Sequence, residues 1–109
     1  MKVLGNVEDI ARTGAREFQL TADGRQVDIF VVCYKNRMYG YENICPHEGL
    51  SLNWMPDKFL SQDKTLIQCG NHDALFRIED GVCMAGPCVG EHLTPVKIRI
   101  DNGKVLLAE

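Results

Sequence analysis

Two short motifs, Cys45-Pro46-His47 and Cys69-Gly70-Asn71-His72, constrain this chain more than any other feature. Each pairs a thiol with an imidazole at a separation that fits one loop tip. Residues 48–68 lie between them, too many for a single turn, so the fold must let two separate loops meet in space. One soft thiolate and one borderline imidazole from each loop form a Cys₂His₂ donor set for a metal. Unrelated core thiols and surface histidines would explain the pattern less well. Both pairs fall at the ends of predicted strands, beside Pro46, Gly49 and Gly70. A structural zinc ion uses the same donors, although zinc sites favour Cys with Cys and His with His along the chain, and this order mixes them.

The flanking sequence predicts strands. Met1 to Leu4 forms a short strand, and Asn6 caps a single helical turn over Val7 to Ile10 that Gly14 ends. Phe18 and Leu20 alternate with Glu17 and Gln19 in a half-buried strand over Arg16–Thr21. Asp23-Gly24 turns the chain into a β-branched and aromatic central strand, Val27–Tyr34. Lys35-Asn36-Arg37 turns it again, and Met38–Tyr41 delivers it to Asn43 and Cys45. Residues 48–65 carry Gly49, Pro56 and several charges without periodicity and read as a long loop or insert. Leu66 to Gln68 enters Cys69 as a strand and Ala74 to Ile78 leaves His72 as another, placing the second motif in a hairpin loop. Glu79-Asp80-Gly81 is a turn, Val82 to Ala85 pairs back until Gly86-Pro87, and Val96–Ile100 with Val105–Leu107 forms a last hairpin around Asn102-Gly103. Short strands separated by turns about every ten residues predict an all-β sandwich or barrel.

Composition narrows the class. The chain has 109 residues, which allows one domain with one core. A net charge of −3 with a pI of 5.6 lacks the basic stripe of a nucleic-acid-binding protein. The longest clearly apolar run, Ile29 to Cys33, is far too short to span a bilayer. Met1 to Glu8 shows neither an apolar signal-peptide core nor a cleavage pattern, which predicts a cytoplasmic protein. Cys33, Cys45, Cys69, Cys83 and Cys88 then make an odd count in a reducing compartment, where metal ligation is favoured over disulfides.

Cys45-Pro46-His47-Glu48-Gly49 and Cys69-Gly70-Asn71-His72, with Gly86-Pro87 downstream, resemble the two cluster loops and the covering proline loop of a Rieske protein. The length and flanking hairpins are similar to those of the small Rieske-type [2Fe-2S] ferredoxins. This resemblance implies an antiparallel β-sandwich or barrel with a small cluster-binding subdomain of two loops. It is expected over about residues 43–88, on a base subdomain of residues 1–42 and 89–109. It also implies one Rieske-type [2Fe-2S] cluster, with Cys45 and Cys69 on the inner iron and His47 and His72 on the outer iron. Backbone N–H groups of the glycine-containing loops would donate to the bridging sulfides. The implied function is one-electron transfer from a flavoprotein reductase to a terminal, ring-hydroxylating type oxygenase. Such a carrier is a monomer in isolation and has no substrate chemistry of its own. The small subunit of an NAD(P)H nitrite reductase, which the chain also resembles in size, and a zinc-stabilised interaction module are the alternatives.

Departures refine the expectation. Respiratory-complex Rieske proteins share the ligand order but add a disulfide between the loops and a Ser and a Tyr that hydrogen-bond the cluster. The matching positions here are Leu50, Asn71, Ala74 and Phe76, none of which can do those jobs. A potential toward the lower end of the Rieske range of about −150 to +300 mV is therefore expected. Glu48 and Asp73 follow the two ligand histidines. They either set a carboxylate beside each imidazole, lowering the potential and marking a docking surface for a basic partner, or point to solvent. Cys33 is read as a buried inert thiol, Cys83 and Cys88 as plain thiols rather than a redox pair, and His92 as a surface residue. Trp54, Met55, Phe59 and Leu60 are expected to pack the insert onto the cluster domain.

Overall fold

The computed structural model describes residues 2–22, 24–44, 60, 65–68, 74–86 and 89–107. Its centre is strand β3, Arg25–Tyr34, in which Ile29, Phe30, Val31 and Val32 are all buried. A strand covered on both faces reads as a continuous apolar run instead of an alternation. β2, Ala15–Ala22, pairs antiparallel along it from Ala15↔Val32 to Ala22↔Arg25. β4, Arg37–Glu42, pairs on its other side. The β3–β4 turn needs only Lys35 and Asn36, whose φ values of 50° and 64° are those of a two-residue hairpin turn that follows the right-handed strand twist.

A second sheet has the order β1-β10-β9, with β1 over Lys2–Asn6, β9 over Ile98–Asp101 and β10 over Lys104–Leu107. Between β1 and β2 lies α1, Val7–Thr13, seven residues where the sequence predicts one turn. Ile10, fully buried, anchors it. Gly14 closes it in the left-handed region (φ 89°), donating its N–H to Ile10 O at 2.7 Å. Asn6 holds the N-cap position in extended conformation, but its side-chain amide turns to the Asp9 carboxylate instead of a backbone N–H. The third sheet is β5-β6-β7, with β5 over Leu66–Gln68, β6 over Leu75–Arg77 and β7 over Cys83–Ala85.

The predicted single strand Val96–Ile100 is divided. Residues 91–93 pair with the third sheet through the Val82↔His92 bridge and the bonds Cys83 N–H to Glu91 O and Leu93 N–H to Gly81 O, both 2.9 Å. Pro95–Val96 then forms β8 on the edge of β4, and Ile98–Asp101 joins the second sheet. Residues 91–101 thus stitch all three sheets together in sequence. The chain changes cores across this segment: Leu93 packs into one and Ile98 into the other.

Those cores lie on opposite faces of β3. Phe30 and Val32 face one formed with Ala15, Tyr41, Ile67, Ala74, Phe76, Ile78, Cys83 and Leu93. Val31 faces the other, with Ile10 and Val105 buried and Leu4, Val7, Phe18, Cys33, Met38 and Ile98 packed around them. Cys33 is half-buried where the sequence predicts full burial. No helix among the described residues is long and apolar enough to cross a membrane.

Candidate metal centre

Cys45, His47, Cys69 and His72 lie outside the described residues, as do Glu48, Leu50, Asn71, Asp73 and Cys88. What the structure defines is the set of strand stems that carries them. β4 ends at Glu42, and Asn43 extends its ladder by one bond, donating N–H to Asp28 O at 2.9 Å. Asn43 is buried, and Ile44 after it is 48% exposed. The chain therefore emerges at the surface one residue before Cys45. The second motif is carried on a hairpin, as its sequence predicts. β5 ends at Gln68 and β6 begins at Leu75, and these two residues are register partners.

The stems point the same way. Thr94 and Pro95 run antiparallel to β4 (Glu42 N–H to Thr94 O, 2.9 Å; Tyr41↔Pro95), and residues 91–93 run antiparallel to β7. Following that register, β4 toward Ile44 and β7 toward Gly86 share a direction. β6, antiparallel to β7, presents its Ala74 end there as well. A close approach confirms the last step: a Cβ on Gly86 (φ 100°) would fall 2.7 Å from Ala74 Cα. Only glycine permits the segment before Pro87 to lie against the strand that leaves the second loop. Three stems, ending at Ile44, at Gln68 with Ala74, and at Gly86, therefore reach one end of the molecule.

The buried residues of these stems are mostly apolar, while Arg25, Asp28 and Glu42 line a cavity beside Ile44. Ala74 and Phe76 are fully buried and carry no hydroxyl, so the donor positions of respiratory Rieske proteins are empty of donors here. Cys83 is buried and donates Sγ–H to Ala85 O at 3.2 Å. Leu60, from the insert, is half-buried against the same core and bridges Ile67, as expected; Trp54, Met55 and Phe59 lie outside the described residues. His92 is exposed, with Nδ1 2.9 Å from Leu93 O. Among the described residues no group of three or more His, Cys, Asp or Glu could hold a metal. Two thiolates and two imidazoles suit a cluster with one sulfur-ligated and one nitrogen-ligated iron.

At the opposite end of β6 and β7, Arg77 and Asp80 pair across the turn, with Nε to Oδ1 at 2.9 Å. That bond, with Val82 N–H also donating to Oδ1 at 3.1 Å, holds the Asp80 carboxyl down at about 2. Sequence reasoning missed three participants: Tyr41, Gly81 and residues 91–96. Tyr41 is buried, its ring 5.9 Å from that of Phe30, and its hydroxyl donates to the main-chain oxygen of Ile78. Burial, then the nearby Asp80, Tyr39 and Glu79, pushes its ionisation far above the usual phenol range. An aromatic residue in a strand pattern reads as ordinary core, so nothing in the sequence marks it. Ile44, Met84 and Val89, 48%, 51% and 64% exposed, also went unmarked; they are large apolar side chains on or beside the loop stems.

An all-β framework whose strand stems before Cys45, on either side of the Cys69–His72 motif and through Gly86 reach one end of the molecule is the architecture of a small Rieske-type module. The family model for the Rieske [2Fe-2S] domain matches residues 1–100, and the chain belongs to that family. Its cofactor is one Rieske [2Fe-2S] cluster. The ferredoxin component of the alkene monooxygenase system of Xanthobacter autotrophicus is 29% identical over 82 residues, a match covering 73% of this chain and 61% of that protein's length. The ferredoxin of carbazole 1,9a-dioxygenase from Nocardioides aromaticivorans IC177 superposes with a TM-score of 0.73 at 21% identity, over 97% of this chain and 94% of that one. A ferredoxin in complex with the oxygenase of carbazole 1,9a-dioxygenase also gives 0.73, at 22% identity, over 99% and 91%.

Proposed function

We propose that this chain is a one-electron carrier that takes electrons from a flavoprotein reductase and delivers them to a terminal oxygenase, with no substrate chemistry of its own. The observation that carries this reading is the convergence of the three stems on one end of a Rieske-family fold. When bound, the cluster supplies reversible one-electron redox chemistry, and two neutral imidazoles in place of two thiolates raise its potential above that of an all-cysteine ferredoxin. Cys45 and Cys69 hold the inner iron in this proposal, and His47 and His72 the outer one. The second ring nitrogen of each histidine is then available to donate to a docked partner. Residues about 43–88 act as the cluster-binding subdomain and residues 1–42 and 89–109 as its base. That β5–β7 form a sheet of their own supports that division, although they share one core with Phe30 and Val32 of β3.

The relatives support the choice of partner. One similar protein is a component of a monooxygenase system, and one similar structure is a ferredoxin complexed with its oxygenase. Exposed Ile44, Met84 and Val89 offer the apolar contact that a transient protein interface uses at its centre. A cytoplasmic location and a monomeric state in isolation belong to the same proposal. Apolar Ala74 and Phe76 support a potential in the lower part of the Rieske range of about −150 to +300 mV, and a redox titration placing it near the upper end rejects that part.

The test is reconstitution. Purified protein is reduced by NADH through a flavoprotein reductase of an oxygenase system, and its reoxidation by the oxygenase is followed in stopped flow. Reduction and reoxidation within catalytic turnover are expected. Reduction without reoxidation by any oxygenase component, with electrons passing to nitrite in a larger assembly instead, would overturn the reading.

A further inference from the structure

We propose that Tyr41 is a positioning residue for the cluster: its hydroxyl pins the stem of the first ligand loop to the stem of the second. This rests on the cluster reading above. Tyr41 lies on β4, four residues before Cys45, and its hydroxyl donates to the main-chain oxygen of Ile78, six residues after His72. Both partners are buried, Ile78 completely, so the carbonyl has no access to water as a substitute. The turn that joins β6 to β7 meets the same side chain. Gly81 (φ 73°) sits against the ring so closely that a Cβ there would be 2.8 Å from Tyr41 Cε1 and 3.2 Å from Leu93 Cβ. Leu93 N–H bonds Gly81 O at 2.9 Å, and Pro95 is the register partner of Tyr41 itself.

Apolar packing is non-directional, so a phenylalanine ring would fill the same volume without fixing how far β4 slides along β6. The phenol adds a directional bond between them. Cys45 follows Tyr41 by four residues in the chain, and His72 precedes Ile78 by six. A displacement at the pin is carried along these stems to the loops, and a cluster shared between two loops registers their mutual position. The phenol remains a protonated donor throughout the neutral range, since burial and its acidic neighbours oppose its ionisation.

The experiment compares holoproteins: wild type, Tyr41→Phe, and Val105→Ala as a control in the core on the other face of β3. Two quantities are read well below each melting temperature: the half-life of the visible absorption under an iron chelator, and the EPR g-values after reduction. Tyr41→Phe is expected to shorten the half-life about tenfold, as loss of one buried hydrogen bond implies, and to shift the g-values. Val105→Ala should leave both unchanged. If Tyr41→Phe does not fold, Gly81→Ala keeps the hydroxyl but displaces the ring, and the same two changes are expected. Wild-type half-life and g-values in the Tyr41 or Gly81 variant, or changes no larger than those of Val105→Ala, overturn the role of Tyr41 alone. Wild-type protein lacking iron and acid-labile sulfide overturns the cluster reading and this role with it.

Discussion

The two faces of β3 carry cores of different character. Against Phe30 and Val32 the chain builds a core from all the loop stems, with Ile67, Ala74, Phe76, Ile78, Leu93 and Tyr41 fully or almost fully buried. Against Val31 the core is smaller; its Ile10 and Val105 are surrounded by half-buried side chains, and a cavity of about 620 Å³ opens beside Cys33, Met38 and Ile100. The difference teaches where rigidity is placed. A framework that must keep two ligand loops in register needs close packing on their side, whereas the other face only has to close the fold.

The largest effect that separates the faces is expected from removing the cluster. Iron chelation should lower Tm by more than about 10 °C and speed amide exchange in β5, β6 and β7 while the amides of β3 and β10 stay protected. Uniform acceleration would break the comparison. Truncations come next: Phe76→Ala should cost about 3–5 kcal/mol in urea unfolding and Val105→Ala about 2 kcal/mol, with only the first hastening cluster loss. Equal cluster loss in both would show that the faces are coupled as one core.

The thiols sharpen the contrast with a smaller readout. Burial raises the ionisation of the Cys33 thiol, so its alkylation should be slower than that of a free thiol at the same alkaline pH. Cys83, 2% exposed on the loop side, should resist alkylation in folded holoprotein at that pH, as mass spectrometry of the two peptides would reveal. Faster labelling of Cys83 than of Cys33 would invert the assignment of the tighter face. The smallest effect belongs to the exposed pair at the far turn. The Asp80 carboxyl is lowered from 3.8 to about 2, so its contribution is present above pH 4 and is lost as pH falls toward 2. Asp80→Asn should flatten acid unfolding curves in that window and leave neutral-pH stability and cluster retention nearly unchanged.

Most of the strand framework was legible because it rests on local signals. The apolar run of β3, the Lys35-Asn36 and Asn102-Gly103 turns and the Gly14 stop each follow from residues within a few positions of one another. The helix was read too short because seven residues, of which only Ile10 is buried, show little period. Val96–Ile100 was read as one strand because alternation continues through Lys97 while the pairing partner changes from β4 to β10, a distant choice that no local pattern encodes. The donor types and their spacing were visible for the same local reason. The direction of the stems was not, since it follows from the long-range register of residues 91–96. Tyr41 stayed hidden because its partner, Ile78, is 37 residues away.

The central proposal is that Cys45, His47, Cys69 and His72 share a [2Fe-2S] cluster. The direct measurement is visible absorption and EPR of anaerobically purified protein, with iron and acid-labile sulfide assayed on the same sample. A coloured protein is expected, with iron and sulfide in equal amounts and an anisotropic signal on reduction that shows nitrogen coupling from the imidazoles. That signal should disappear in His47→Ala and His72→Ala. A colourless protein holding zinc on the same four residues would contradict it.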